Sequence, residues 1–330
     1  MIKFLFTINE LFYGRNEKNR YRETNKLLWV VCNVSYRIIW MFFYFYMKLR
    51  GTLHILPGKR GIVNEHLIVT LTTFPARITD VWMVVDSIVR QTMRPSAICM
   101  YLAEEEFPGK DDDLPTILNS YVPLGLQIHW VSENLKPHKK YYYSLQEYPD
   151  KCIVTVDDDV YYRPDLLKRL WDIHVKFPQA VCANRACPIL DRDMIVKPYY
   201  FWGRNLNALA GCSHNYLATG VGGVLYPPGV MRQKRLFNKE ILINCCLRAD
   251  DLWLKCHEIL EGVPVATGDK IPPSIEIFGS QRVSLRATNC GTSTDSGNDI
   301  QWSKLNEKYD INQKLIKLVK SENHEVKETT

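Results

Sequence analysis

The sequence predicts an α/β domain, with a largely parallel central sheet flanked by helices and an aromatic, basic helical segment in front of it. Three observations carry this expectation. Short β-branched apolar runs alternate with stretches whose apolar residues recur at helical spacing, the pattern of strand–helix–strand units with right-handed crossovers. One of these runs, residues 152–156, ends abruptly in three consecutive carboxylates. The first 60 residues differ in composition from all that follows, the change falling after Pro57 and Gly58.

Taken in order, residues 27–47 come first. They are apolar over a length sufficient to span a bilayer, but Arg37 sits at their centre, with Asn33 and Ser35 nearby. A central Arg is costly in hydrocarbon. Trp29, Tyr36, Trp40, Tyr44 and Tyr46 are residues of the membrane–water interface rather than of its deep core. Basic residues flank both ends: Arg15, Lys18, Arg20, Arg22 and Lys26 before, and Lys48, Arg50, Lys59 and Arg60 after. A helix or helix pair lying in an anionic leaflet, at the cytoplasmic face of a membrane, satisfies these facts better than a span; a single N-terminal anchor and a helix packed on the protein's own core are the alternatives. The apolar run starts late and lacks a small-residue cleavage site, so it does not read as a cleavable signal peptide.

Residues 67–71 then read as a first strand, 81–90 as a helix, and 97–102, 126–131 and 152–156 as further strands. Pro164 opens a helix over 164–175, proline being suited to a first turn. From Lys304 the chain is polar and charged and reads as a tail. The expected organisation is a membrane-associating segment over 1–60, a catalytic domain over 61–303 and a tail over 304–330.

Composition sets outer limits. The chain has 330 residues, 46% hydrophobic and 24% charged, which is ordinary for a globular protein with a sizeable core. Its net charge of +6 is modest and largely due to the first 60 residues, and no stripe of Lys and Arg forms a nucleic-acid footprint. Ten cysteines are present, but none shows a CxxC spacing. Buried free thiols in a reducing compartment account for them.

The chemistry centres on Asp157, Asp158 and Asp159. A strand covered on both faces has no reason of its own to finish in acid. Open α/β sheets place their ligands at the carboxyl ends of strands. Three adjacent carboxylates repel one another unless a cation or ligand donors compensate them. Hard oxygen donors favour Mg²⁺ or Mn²⁺, which are commonly shared with a substrate diphosphate. The chain contains its own control in Asp111, Asp112 and Asp113, which no apolar strand precedes and which read as a turn or helix start.

Four other segments add weight by their order. Thr70, Thr72 and Arg77 lie where a strand runs into a loop, a place for a nucleotide with Arg77 toward a phosphate. Lys139 and Lys140 begin a helix and are suited to neutralising a diphosphate. Thr219, Gly220, Gly222 and Gly223 form a glycine loop that permits close backbone approach. Asp250 and Asp251 stand at a helix start, where N-capping and a general base toward an acceptor hydroxyl are the two readings.

This order resembles the nucleotide-sugar-dependent glycosyltransferases of the GT-A fold over roughly residues 65–300, with motif details similar to exostosin-like and bacterial capsule or lipopolysaccharide transferases. The run Val154-Thr-Val-Asp-Asp-Asp-Val-Tyr-Tyr162 resembles that family's DxD motif. The resemblance implies a mixed, mainly parallel GT-A-like sheet and the transfer of a hexosyl or N-acetylhexosaminyl group. The donor would be a nucleotide-diphosphate sugar and the acceptor a glycan or lipid-linked glycan. It makes Asp157 or Asp158 a ribose or diphosphate contact, Asp159 the metal ligand with Asp157 beside it, and Asp250 or Asp251 the acceptor-side base. A late His ligand is absent between His257 and His324, and Asp299 is the nearest substitute. A metal-dependent nucleotidyl- or phosphotransferase uses the same triplet equally well. A membrane-associated cation- or glycan-binding module is the non-enzymatic alternative.

Overall fold

A computed structural model describes residues 26–58, 61–202, 210–268, 275–280 and 297–328. Helix α1 (Lys26–Thr52) precedes strand β1 (Ile62–Thr72), helix α2 (Val81–Val89) and strands β2 (Met93–Ala103) and β3 (Leu126–Val131). A short helix α3 (Lys139–Tyr142) leads to β4 (Cys152–Thr155), β5 (Val160–Tyr161) and helix α4 (Leu166–Lys176). Five short strands follow: β6 (Val181–Ala183), β7 (Ala186–Pro188), β8 (Gly211–Ser213), β9 (Tyr216–Ala218) and β10 (Val224–Tyr226). Helices α5 (Lys239–Cys246) and α6 (Asp250–Glu261), strands β11 (Val265–Thr267) and β12 (Ile275–Glu276), and helices α7 (Gly297–Tyr309) and α8 (Ile311–Glu328) complete the order.

Eight strands form one sheet in the order β3-β2-β1-β4-β10-β6-β11-β8. β3, β2, β1 and β4 are mutually parallel, and β11 runs parallel to β6. β10 runs antiparallel to both β4 and β6, and β8 antiparallel to β11. The sheet is therefore mixed and mainly parallel, as expected. The three-residue strands of its antiparallel part are too short to leave a period in the sequence. The chain winds outward from β1 to β3 and then returns to place β4 on the other side of β1. That reversal is a topological switch point, where a crevice opens at the strand ends.

Alternation along the strands decides where the cores sit. Leu67, Val69 and Leu71 of β1, with Cys152 and Val154 of β4, enter a core shared with α2 and α4. Ile68 and Ile153 enter the opposite core, shared with α5, α6 and the C-terminal helices. Both faces are covered, which explains the near-continuous apolar composition of these two strands. The helix expected from Pro164 begins at Leu166, with Asp165 at its cap position.

The two ends of the chain depart from expectation. Phe43 and Met47 belong to the first core, and Trp40, Tyr44 and Tyr46 pack half-buried against it. These three aromatics therefore face the protein, not an interface. Arg50, buried, donates from Nη2 to Asp86 Oδ1 at 3.2 Å and to the Ile55 carbonyl at 2.7 Å. A boundary at residue 60 cuts through packed core. At the other end, residues 304–309 and 311–328 are helical rather than a loose tail. Leu305, Ile311, Leu315 and Val319 are buried in the second core, with Tyr309, Ile316 and Leu318 half-buried against it. Among the described residues no helix is long and apolar enough to cross a membrane. Eight cysteine side chains are described, all free and most of them buried.

Asp86 has no solvent exposure and joins four elements. It accepts from Arg50 of α1, from Arg90 at the end of α2, and from the hydroxyls of Tyr121 and Tyr161 at 2.9 and 2.8 Å. Asp86→Ala strands a buried guanidinium and two buried hydroxyls, so a loss of about 3–5 kcal/mol is expected in denaturant unfolding. Asp112→Asn, on the exposed turn Lys110–Asp113, is expected to stay within about 0.5 kcal/mol of wild type.

Candidate active site

Residues 157–159 leave β4 at the switch point, and Thr73 and Arg77 leave the adjacent β1. Asp158 is buried, with both carboxylate oxygens engaged: Thr73 Oγ1 donates to Oδ2 at 2.7 Å, and Arg77 Nη1 donates to Oδ1. The same Nη1 lies 3.2 Å from Asp159 Oδ2. The Arg77 guanidinium thus holds the triplet together. Its other amino group donates to the Ser280 carbonyl at 3.2 Å, fixing the segment that carries β12 beside the acids. The Ile277 N–H donates to the Asp159 carbonyl at 2.7 Å and reinforces that placement.

Lys140 is the second cation of the site. Its Nζ lies 2.8 Å from Asp157 Oδ1 and 2.9 Å from Asp250 Oδ2. It is buried, and the carboxylates of Asp157, Asp250 and Asp251 raise it well above the ordinary lysine value against the cost of burial. One ammonium therefore links the end of β4 to the start of α6. Gly220 closes the circuit. Its N–H donates to both oxygens of Asp251, at 3.2 and 3.3 Å. A Cβ at residue 220 would stand 2.9 Å from Asp157 Oδ1 and 3.3 Å from Lys140 Nζ, so only glycine fits without moving the pair.

Asp250 and Asp251 do not cap α6, because Ala249 occupies the cap position and no side chain caps there. Their environments push them apart. Burial works against Asp250, but Lys140 and His138 hold its carboxyl below the usual range. Burial and the neighbouring Asp250 push Asp251 well above that range, with Lys140 opposing. Asp251 is also the more open of the two. His138 is fully buried and pushed down to about 4, mainly by burial. The neutral ring donates from Nε2 to the Cys246 carbonyl at 2.8 Å and accepts the Tyr141 hydroxyl at Nδ1, also at 2.8 Å.

Several expected ligand contacts have other partners. The Thr70 hydroxyl donates to the Lys140 carbonyl at 2.6 Å, and the Thr72 hydroxyl to the Tyr101 carbonyl at 2.7 Å. Thr70 thus positions the lysine instead of meeting a nucleotide, and Thr73 is the hydroxyl of that loop that reaches an acid. Lys139 pairs with Glu106 at 2.8 Å and Asn134 at 3.0 Å, away from the triplet. Arg77 and Lys140 hold acids in place of a phosphate. Thr219 donates to the Arg185 carbonyl, Gly222 abuts the Arg185 backbone, and Gly223 has a φ of +75°. Gly220 is the residue of that loop that touches the acids. Asp299 accepts at 2.7 Å from the N–H of Tyr199, the first residue of the short helix Tyr199–Trp202. Sequence reading also passed over Tyr162, whose hydroxyl accepts the Asp157 N–H at 2.8 Å.

Among the described residues no cluster of three His, Cys, Asp or Glu side chains is arranged to hold a metal. The donor set nevertheless fits a shared cation. Burial and the charges of Asp157, Asp158 and Glu276 push the Asp159 carboxyl up to about 7, even with Arg77 beside it. The site is short of positive charge, and Asp157 and Asp159 offer hard oxygens to an ion whose remaining ligands come from a phosphate.

No family model matches the chain, and no curated protein matches it. Among solved structures it is similar to the mannosyltransferase PcManGT from Pyrobaculum calidifontis in complex with GDP-Man and Mn²⁺. That likeness has a TM-score of 0.41 and 12% identity, covering 85% of this chain and 80% of that one. A 4-diphosphocytidyl-2C-methyl-D-erythritol synthase from Anaerococcus prevotii gives a TM-score of 0.39 and 15% identity over 68% of this chain and 95% of that one. TarS residues 1–349 from S. aureus give 0.38 and 12% over 63% and 60%. Likenesses this remote carry no chemistry, and the functional reading rests on the site.

Asp159 sets a pH dependence of stability. Its folded value of about 7 lies above the ordinary 3.8, so between those limits the folded chain keeps a proton that the unfolded chain releases. Stability from this group is therefore highest at low pH and falls as pH rises through the window. With chelator present, Asp159→Asn is expected to melt higher than wild type at pH 8 and at the same temperature near pH 4, read by thermal scans across pH.

Proposed function

We propose that this chain transfers a hexosyl or N-acetylhexosaminyl group from a nucleotide-diphosphate sugar to a hydroxyl of a glycan or lipid-linked glycan. The observation that carries the reading is the Lys140 junction. It places an acidic strand end suited to a cation and diphosphate beside a helix start whose two carboxylates differ in proton affinity. A single ammonium spans the two at 2.8 and 2.9 Å. Donor chemistry and acceptor chemistry thus share one crevice.

Asp159 and Asp157 would hold Mg²⁺ or Mn²⁺ together with donor phosphate oxygens. When bound, the ion supplies charge that stabilises the diphosphate leaving group. The chain's own residues do the rest. Asp250 stays ionised against Lys140 and keeps that lysine in place. Asp251, open and with raised proton affinity, takes the proton of the acceptor hydroxyl as its oxygen bonds to the anomeric carbon. The sugar–phosphate bond breaks and the nucleoside diphosphate leaves.

The direct test incubates the purified protein with a panel of nucleotide sugars, an acceptor glycan and Mn²⁺. Release of nucleoside diphosphate with a glycosylated product supports the reading. A nucleoside monophosphate or pyrophosphate product would place the chain among nucleotidyl- or phosphotransferases instead. Asp251→Asn is expected to melt no lower than wild type, to keep donor affinity and to lose transfer by ~10²-fold or more, the scale of a general base. In the wild type, transfer is expected to rise with pH as Asp251 deprotonates, above the ordinary carboxylate range, and that limb should vanish in the Asn variant. Gly220→Ala is expected to lower turnover at least ~10-fold, since a 1 Å displacement at a site costs that much or more.

A further inference from the structure

Helix α1 is apolar on two opposite faces. The inner face buries Phe43 and Met47 against the domain. On the outer side, Val31, Val34, Ile38, Phe42, Phe45 and Leu49 recur every three or four residues and form one stripe. Each of the six is between 45% and 65% exposed. Five successive turns of unpartnered apolar surface, about 27 Å at 1.5 Å per residue, exceed the scattered apolar residues normal on a soluble surface.

Charge identifies the occupant. Arg37 is exposed along one edge of the stripe; Lys48, eleven residues on along the same edge, is partly exposed and pairs with Asp80. Residues 24–64 contain no Asp or Glu. The first 60 residues hold eleven Lys and Arg against three Asp and Glu, while the whole chain has a surplus of +6, so the remainder is slightly acidic. Two such segments repel each other, which disfavours a second copy across this stripe. An anionic bilayer attracts the segment and accepts its apolar side chains.

We propose that the outer face of α1 docks in the plane of an anionic membrane leaflet, with the catalytic domain held on its inner face. The helix lies on the bilayer and does not cross it. Phe43, on the inner face, meets the Tyr161 ring edge-on at 4.9 Å, and Tyr161 follows Asp159 by two residues. The strand end that carries the acids is thereby tied to the inner face of the docked helix. The docking needs neither donor nor acceptor, so its test is independent of the proposed glycosyl transfer.

The experiment is flotation of the full-length protein with phosphatidylcholine vesicles, with and without about 30% phosphatidylglycerol, at low and high salt. Wild type is expected to float with the anionic vesicles and to be released in part by salt. Combined Phe42→Ser, Phe45→Ser and Leu49→Ser should lower the bound fraction at least ~10-fold, because the apolar area available to the bilayer is lost. Melting temperature should be kept, since these side chains touch no core. Arg37→Gln alone should weaken binding to anionic vesicles and leave the melting temperature unchanged. Flotation of the triple variant equal to wild type would overturn the proposal. So would a wild-type dimer that ignores vesicles and that the triple variant converts to monomer, showing that a second copy covers the stripe.

Discussion

The candidate site depends on a single buried ammonium. Lys140 sits between Asp157, at the end of a strand, and Asp250, at the start of a helix 93 residues further along the chain. Asp250 could not be buried there as an anion without it, and the lysine could not be buried without its acidic partners. The backbone follows from this pairing. Thr70 grips the Lys140 carbonyl so that the side chain leaves α3 toward the strand end. Residue 220 has no side chain because the ion pair fills the space a Cβ would take. Asp251 is pushed up by burial and by the charge of Asp250, with the lysine opposing. Position and space trace to one contact.

The sheet gives that contact its location. Winding reverses between β1 and β4, so two loops diverge there and leave room for ligands at the strand ends. Antiparallel β10 then packs against β4 and brings the loop of Gly220 to the same end. Parallel strands alone would have delivered the triplet. The antiparallel strand brings the loop that meets Asp251.

The sequence disclosed the parallel half of the sheet because β1 to β4 are covered on both faces, and burial of that kind leaves long apolar runs. It disclosed Asp157 to Asp159 because acid at the end of such a run has no structural motive. Partners separated by long stretches of chain left no such trace. Arg77 and Asp158 are 81 residues apart, and nothing local reveals that the guanidinium is bound to acid instead of free for a phosphate. Thr70 and Thr72 lie on one face of β1 by strand alternation, yet the hydroxyl that reaches the triplet is Thr73, where the strand has ended and the period lapses. Asp299 looked like a ligand in the linear order, but a backbone N–H takes its carboxylate. The helix α8 was hidden by composition: Ile311, Leu315 and Val319, with Ile316 and Leu318 beside them, are enough to pack it, and too few among the polar residues to raise the mean hydropathy.

Asp86 has a consequence for how the chain acquires its structure. Its partners are residues 50, 90, 121 and 161, so the cluster that pins α1 to the domain cannot close until more than a hundred residues beyond the helix have been synthesised. Until then α1 is a nascent helix with apolar side chains uncovered on both flanks, the kind of exposed surface that aggregates in folding intermediates. On the docking proposed for it, the outer stripe would be covered by a bilayer from the outset, while the inner one waits for Tyr161. Vectorial synthesis beside a membrane would therefore hold the helix in place while the rest of the chain is still emerging, and the domain would assemble on a platform already laid.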